Sequence, residues 1–223
     1  MLDLSKKIKF FSENFHCHWR FTPWRPRRMY KIKTHTTCKG FWKWKKCTDH
    51  HTEYPSVYSL TDHHLKCPPN QAVNYFRLIG RNHGREYRYN YKCCTVGLPC
   101  QGTYTKHNPY TYVHEGQTIY LDRQHAYIFD GFMSGFRLDG GHKIRYILDV
   151  CRSNYKLAKY VKKCISKSTT FELDGSSRGN PLYLDRIPVN CGNGRFLTNF
   201  RLHRNNGGGK FQYRYSCCGY FNI

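Results

Sequence analysis

The chain is poor in acid: 14 Asp and Glu stand against 37 Lys and Arg in 223 residues, a formal charge of +23 before its 13 His are counted. So few carboxylates leave little room for paired-acid catalysis, and no Ser or Cys nucleophile sits beside a base in an enclosing motif. The reading is therefore a protein that binds, not an enzyme, with no cofactor and no metal. No apolar run is long enough to span a bilayer, being broken by Lys, Arg or Asp every few residues, so no membrane span is expected. Asn-x-Ser/Thr is absent as well, and N-glycosylation is not expected. The first residues, MLDLSKKIKFF, lack the continuous apolar stretch of a secretory leader; the expectation is that a leader was removed and that Met1 is a numbering start.

What the chain has in quantity is cysteine, aromatics and positive charge. Twelve Cys, an even number with adjacent pairs and no catalytic context, suggest a disulfide framework in an oxidising compartment. The 19 Tyr, 14 Phe and 4 Trp favour strands, because aromatic side chains suit a half-buried pleated surface. A surface this cationic seeks polyanions. Outside a cell those are sulfated or carboxylated polysaccharides, proteoglycans and acidic matrix proteins; inside, nucleic acid comes first.

The chain repeats. LTDHHLKCPPNQAVNYFRL from Leu60 and LDRIPVNCGNGRFLTNFRL from Leu184 share their spacing, each runs from a Cys (Cys67, Cys191) to a Phe (Phe76, Phe200), and each ends at a vicinal Cys pair. The closing segments REYRYNYKCC and KFQYRYSCC alternate at period two, which is strand patterning. A third copy from TIYLDRQHAYIF carries Phe136 and Leu138, with Tyr127 read in place of the first Cys and only Cys151 at its close; a weaker fourth opens the chain and closes on MYKIKTHTTC. One such unit cannot bury both strand faces, so the copies should pack together. The expectation is an all-β fold: a quasi-symmetric single domain, residues 1–223, of three to four repeated antiparallel β units stapled by disulfides, with copies near 4–38, 57–94, 117–152 and 181–218. The stretches between copies read as surface loops, and 152–164 as either a helix or an edge strand.

Because the first Cys and the closing pair flank each extended unit, Cys67 with Cys93 or Cys94, and Cys191 with Cys217 or Cys218, are the natural bridges. Cys17 with Cys38 is the parallel expectation, and Cys151 with Cys164 a further one. The repeated Asp62, Asp122 and Asp185 are read as closing turns or pairing with Arg123 and Arg186.

CPPNQAVNYF from Cys67, GREYRYNYKCC from Gly84, and the order YKCCTVGLPC, Tyr127, DVCRS together resemble the dermatopontin family over most of residues 34–160. The family's usual Asp-Arg-x-Trp signature is missing; Arg85, Glu86 and Tyr87 only approximate it. The resemblance implies a secreted extracellular-matrix or adhesion protein that associates with acidic glycans, proteoglycans or fibrillar partners, and no catalytic residues.

The candidate ligand-binding residues are Trp42, Lys43, Trp44, Lys45 and Lys46 of FWKWKK, where aromatics could stack on sugar rings while lysines hold sulfates, and the cations of the Gly-rich loops, Arg81, Arg85, Lys143, Arg204 and Lys210. A self-assembling fibre or coat subunit, and so a homo-oligomer, is the first alternative. An intracellular zinc or nucleic-acid-binding protein is the second: Cys47-x-x-His50 and His64-x-x-Cys67 imitate halves of a zinc site, and basic segments such as WRPRRMYKIK interleave aromatics. Cys67 has its counterpart in Cys191, which lacks the histidines, so a disulfide role explains both copies. The pairs His50–His51 and His63–His64 are read as solvent-facing. No known nucleic-acid module is recognisable.

Overall fold

The computed structural model describes residues 15–39, 46–96, 100–152, 160–173, 179–205 and 209–222. In chain order the strands are β1 (Cys17–Phe21), β2 (Arg25–Pro26), β3 (Met29–Lys39), β4 (Lys46–Pro55), β5 (His64–Lys66), β6 (Gln71–Arg81), β7 (Glu86–Thr95), β8 (Thr103–His107), β9 (Thr111–Tyr112), β10 (His125–Tyr127), β11 (Gly131–Gly140), β12 (Lys143–Arg152), β13 (Tyr160–Ser168), β14 (Glu172–Leu173), β15 (Val189–Asn190), β16 (Phe196–Arg204) and β17 (Lys210–Asn222). Short 3-10 turns at Val57–Leu60, Thr118–Arg123 and Pro181–Arg186 precede β5, β10 and β15. The fold is all-β.

Three antiparallel sheets are built alike. Each centres on a long hairpin, β6–β7, β11–β12 or β16–β17, with outer-edge strands β1 and β2, β8 and β9, or β13 and β14 on the closing strand. The other edge comes from a different unit: β5 pairs with β11, β10 with β16, and β15 with β6. The three units thus exchange strands in a closed ring, a pseudo-threefold arrangement in which no unit completes its sheet alone. The hairpins alternate, so that Tyr87, Tyr89, Tyr91 and Cys93 of β7 point inward while the residues between them face out; period-two burial follows from the pleat.

At the axis Phe76, Phe136 and Phe200 form a triangle with ring centroids 5.0, 5.1 and 4.8 Å apart. Tyr89, Tyr146 and Tyr213 pack edge-on around it. Aromatic pairs in this range add about 0.5–1.5 kcal/mol beyond area burial. Each hairpin carries one bulge at the same place, at Asn74, Ser134 and Thr198, and the bulged carbonyl accepts the amide of the neighbouring unit: Cys67 N to Ser134 O at 2.7 Å, Ile128 N to Thr198 O at 2.9 Å and Cys191 N to Asn74 O at 2.9 Å.

Where the two outer-edge strands of each sheet break, a side chain satisfies the orphaned backbone amide, as burial requires. The amides of Tyr89, Tyr146 and Tyr213 donate to Thr22 Oγ1 (2.8 Å), Gln124 Oε1 (3.3 Å) and Thr169 Oγ1 (3.0 Å).

Disulfides join Cys17–Cys94, Cys67–Cys93, Cys100–Cys151, Cys164–Cys218 and Cys191–Cys217. The two intra-unit bridges agree with the expected choices. Cys17 does not pair with Cys38, nor Cys151 with Cys164: Cys17 and Cys164 bridge instead to the second Cys of the closing strands β7 and β17, at equivalent positions, and Cys100, three residues ahead of β8, bridges to Cys151 of β12, whose register partner is Thr103. The β3–β4 register sets Cys38 opposite Cys47, and Cys47 is itself disulfide-bonded.

Several other expectations change. Residues 4–14 of the expected fourth unit lie outside the described residues; in the described remainder β1 completes the first sheet, and among the described residues MYKIKTHTTC is a strand that pairs with β4. The stretches read as loops supply β4, β8, β9 and β14; in β8 and β9 Thr/Tyr alternation suits an edge. β13 is an edge strand on β17. The position of the lost Cys belongs to Ile128, not Tyr127: the turn leading into β11 is one residue shorter, so counting back from Phe136 lands one residue too early in the chain. Ile128 and Val150, at 2% and 0% exposure, occupy the places of Cys67 and Cys93 as an apolar pair. The same superposition sets Asp122 and Asp185 on Thr61, and Asp62 on Arg123 and Arg186. Asp62 bonds Arg28; Arg186 Nε lies 4.0 Å from Asp185 Oδ1, the expected pairing, and stacks on Tyr183, while Arg123 stacks on Tyr120.

Candidate anion-binding faces of the sheets

Outward-facing residues of the three sheets occupy equivalent places but differ in chemistry. On the first sheet, Trp19, Lys92 and Tyr75 lie in one cross-strand row, and Phe21, Asn90 and Arg77 in the next. Residues directly opposite in an antiparallel pair share a face. Trp19 and Phe21 are 55% and 51% exposed, which is uncommon for side chains of this size next to a folded core. Arg88 sits between the Phe21 and Trp24 rings, at 4.6 and 4.5 Å. Arg81 lies 4.3 Å from the Trp24 ring and Lys92 5.9 Å from that of Trp19, which meets Tyr75 edge-on at 5.1 Å. Aromatics and cations therefore alternate across a ladder of ring faces and charges.

On the second sheet three carboxylates answer the basic side chains. His64 Nε2 bonds Asp149 Oδ2 at 2.7 Å, Arg145 pairs with Asp139 at 3.0 Å and Arg152 with Asp130 at 3.0 Å. The Asp149 carboxyl is held below its usual range by the His64 hydrogen bond, which outweighs the opposing burial together with lesser contacts to Lys66 and Thr105. On the third sheet the outward row is His125, Arg201, Arg214 and Ser168. Among the described residues its cations form no ion pair.

The loop cations sit at the hairpin tips, as their Gly-rich setting requires. Arg81 and Arg85 flank the β6–β7 turn, Lys143 starts β12, Arg204 ends β16 and Lys210 starts β17. In the first tip Asn82, His83 and Gly84 all have positive φ, and a Cβ on Gly84 would meet Leu182 at 3.0 Å, so glycine is required there. Arg81 is committed to Glu86, at 2.7 and 3.2 Å. Arg204 Nε is buried without a hydrogen-bond partner. Trp42, Lys43, Trp44 and Lys45 lie outside the described residues, and Lys46 begins β4. Trp19, Phe21, Tyr75, Arg88 and Lys92 were not singled out from sequence. The period-two alternation of CHWRF was the available signal, but it lies in the stretch read as a weak repeat.

His63 is a second departure: it is 1% exposed rather than solvent-facing. Its Nδ1 lies 3.0 Å from Thr22 Oγ1 and its ring meets Tyr89 edge-on at 5.7 Å. It occupies the place of Gln124 and Ile187, all three closing their 3-10 turns by backbone bonds to Leu60, Leu121 and Leu184. Burial lowers its pKa to about 4, with Arg25 in the same direction and Asp62 opposing. Cys47 and Cys67 are both disulfide-bonded, so neither supplies the thiolate that a zinc site would use, and among the described residues no group of three metal-ligating side chains gathers. No described helix is long and apolar enough to cross a membrane.

No protein-family model, curated protein or solved structure matches the chain.

Proposed function

We propose that this is a secreted matrix or adhesion protein of the dermatopontin type, and that it binds acidic polymers, sulfated or carboxylated glycans first among them. The single observation that carries the reading is the first sheet's outer face, where exposed Trp19 and Phe21 interleave with Arg88 and Lys92. Ring faces stack on the apolar faces of sugar rings while the cations meet their sulfates or carboxylates. A cationic surface without aromatics would bind any anion by charge alone. The five disulfides whose partners are described, with a further bond at Cys47, fit an oxidising compartment, and the CPPNQ and CC motifs resemble that family.

The test is titration of the protein with a sulfated glycan across ionic strength, beside an uncharged glycan and single-stranded nucleic acid. Affinity should fall with salt, and Trp19→Ala should weaken it by about 5–30-fold, the loss of one or two kcal/mol. Binding that ignores both salt and Trp19 would sink the proposal, as would tighter binding to the nucleic acid.

A further inference from the structure

We propose that the outer face of the third sheet is a second anion site, distinct from the aromatic face of the first, which takes a tetrahedral oxyanion of the sulfate- or phosphate-ester type. In assigning that oxyanion to a sulfated polymer, the inference rests on the function proposed above; the site itself stands on its own geometry.

His125, Arg201 and Arg214 are directly opposite one another on β10, β16 and β17. Adjacent strands lie about 4.8 Å apart, so three cation-bearing positions fall within about 10 Å, and all three side chains are exposed. Like charges directly opposite in a sheet are destabilising. The equivalent pairs avoid the cost: Arg77 faces Asn90 on the first sheet and Arg137 faces Ile147 on the second. Only the third unit sets arginine against arginine.

The surroundings add cations instead of removing them. His203 lies two residues beyond Arg201 on the same side of β16. Lys106 Nζ donates to Tyr127 O at 2.6 Å, beside His125. Arg123 and Arg204 approach from the 3-10 turn and the hairpin tip. Among the described residues Asp122 is the carboxylate that acts on the cluster and holds no ion pair there, although its backbone oxygen accepts Arg201 Nε at 2.8 Å and so orients that guanidinium. With the Gln212 amide turned so that its nitrogen donates to Thr169 O at 2.9 Å, its oxygen accepts Arg214 Nε at 3.3 Å, fixing the second guanidinium. Ser168, at the end of the row, offers a neutral donor. Two oriented forks with remaining N–H groups, flanked by imidazoles, match the geometry of a tetrahedral oxyanion.

The two imidazoles bear the mark of this crowding. Burial lowers the pKa of His125, and Arg201 and Lys106 lower it further; burial, Arg214 and Arg201 do the same to His203, against Asp122. A bound oxyanion reverses the charge term, so anion binding and imidazole protonation favour each other by linkage.

The experiment follows the imidazole resonances of His125 and His203 by NMR while the full chain is titrated with inorganic sulfate, and separately with inorganic phosphate, at constant ionic strength balanced with chloride. Both histidine pKa values should rise on saturation, and sulfate should bind at least about fivefold tighter at about pH 5 than at about pH 7.5. Arg214→Asn, the residue found at the first sheet's equivalent place, relieves a like-charge opposition and should fold at least as well, yet weaken either anion by at least about fivefold. The anion bound more tightly names the ester class. A sulfate affinity indifferent to pH, or unchanged in Arg214→Asn, overturns the site. Trp19→Ala keeps the failures apart: it should abolish glycan stacking and leave the sulfate titration as it was.

Discussion

Cys17 and Cys94, 77 residues apart in sequence, are bridged across the β1–β7 pairing at the place where Cys164 and Cys218 are bridged across β13–β17. Cys100–Cys151 does the same for the second sheet from three residues ahead of β8. Each bridge pins the outer strand of a sheet to the hairpin that carries its core tyrosines, so the edge cannot peel away.

In a chain-entropy account the Cys17–Cys94 bridge is worth about 4.5 kcal/mol and the 26-residue Cys67–Cys93 bridge about 3.5 kcal/mol. Replacing Cys17 and Cys94 together by Ser should therefore cost more stability than replacing Cys67 and Cys93 by Ala. Denaturant unfolding of the two double variants gives the order directly. The reverse order would show that the outer strand is held mainly by its backbone ladder.

Ile128 and Val150 show what the fold accepts where a bridge is missing. Cys67→Ile with Cys93→Val should fold, retaining apolar volume that the Ala pair loses, and be more stable than the Ala pair by about 2 kcal/mol. The comparison is a pair of denaturation midpoints. Equal stability of the two would mean that the first unit cannot repack as the second has done.

His63 makes stability depend on pH. Its folded pKa, near 4, lies below the ordinary value of 6.5, so between those values the unfolded chain binds a proton that the fold refuses. Stability is complete above about pH 6.5, falls by roughly 3 kcal/mol as pH drops to about 4, and levels off below. His63→Gln, the residue of the second unit at Gln124, should flatten that window. A slope that persists in the variant would place the titration elsewhere.

The Phe76, Phe136 and Phe200 triangle should behave as one cluster. Each Phe→Ala should cost about 3–5 kcal/mol, and a double-mutant cycle on any two should show coupling, because each ring touches both others. Thermal unfolding of the single and double variants measures it. Additive losses would argue against a shared axial core.

Much of this was legible early because it is local. Alternation in REYRYNYKCC and KFQYRYSCC dictates strands that hide Tyr and show charge, and it brings Cys67 to the pair Cys93 and Cys94 and Cys191 to the pair Cys217 and Cys218; the structure selects Cys93 and Cys217, while Cys94 and Cys218 go to the outer strands. The aromatic face was hidden because Trp19 and Phe21 gain their meaning from Arg88 and Lys92, some 70 residues on.

The sequence by itself determined the all-β class, three hairpins with an inward Phe in each, and an excess of positive charge that must reach the surface. Only the tertiary structure decided that β5, β10 and β15 leave their own units to complete the next, that Cys17 reaches Cys94, and that Arg201 faces Arg214. Strands of two or three residues carry too little pattern to name a partner, and pairing between distant segments is settled by burial around a shared axis, where Phe76, Phe136 and Phe200 leave room for one closed arrangement.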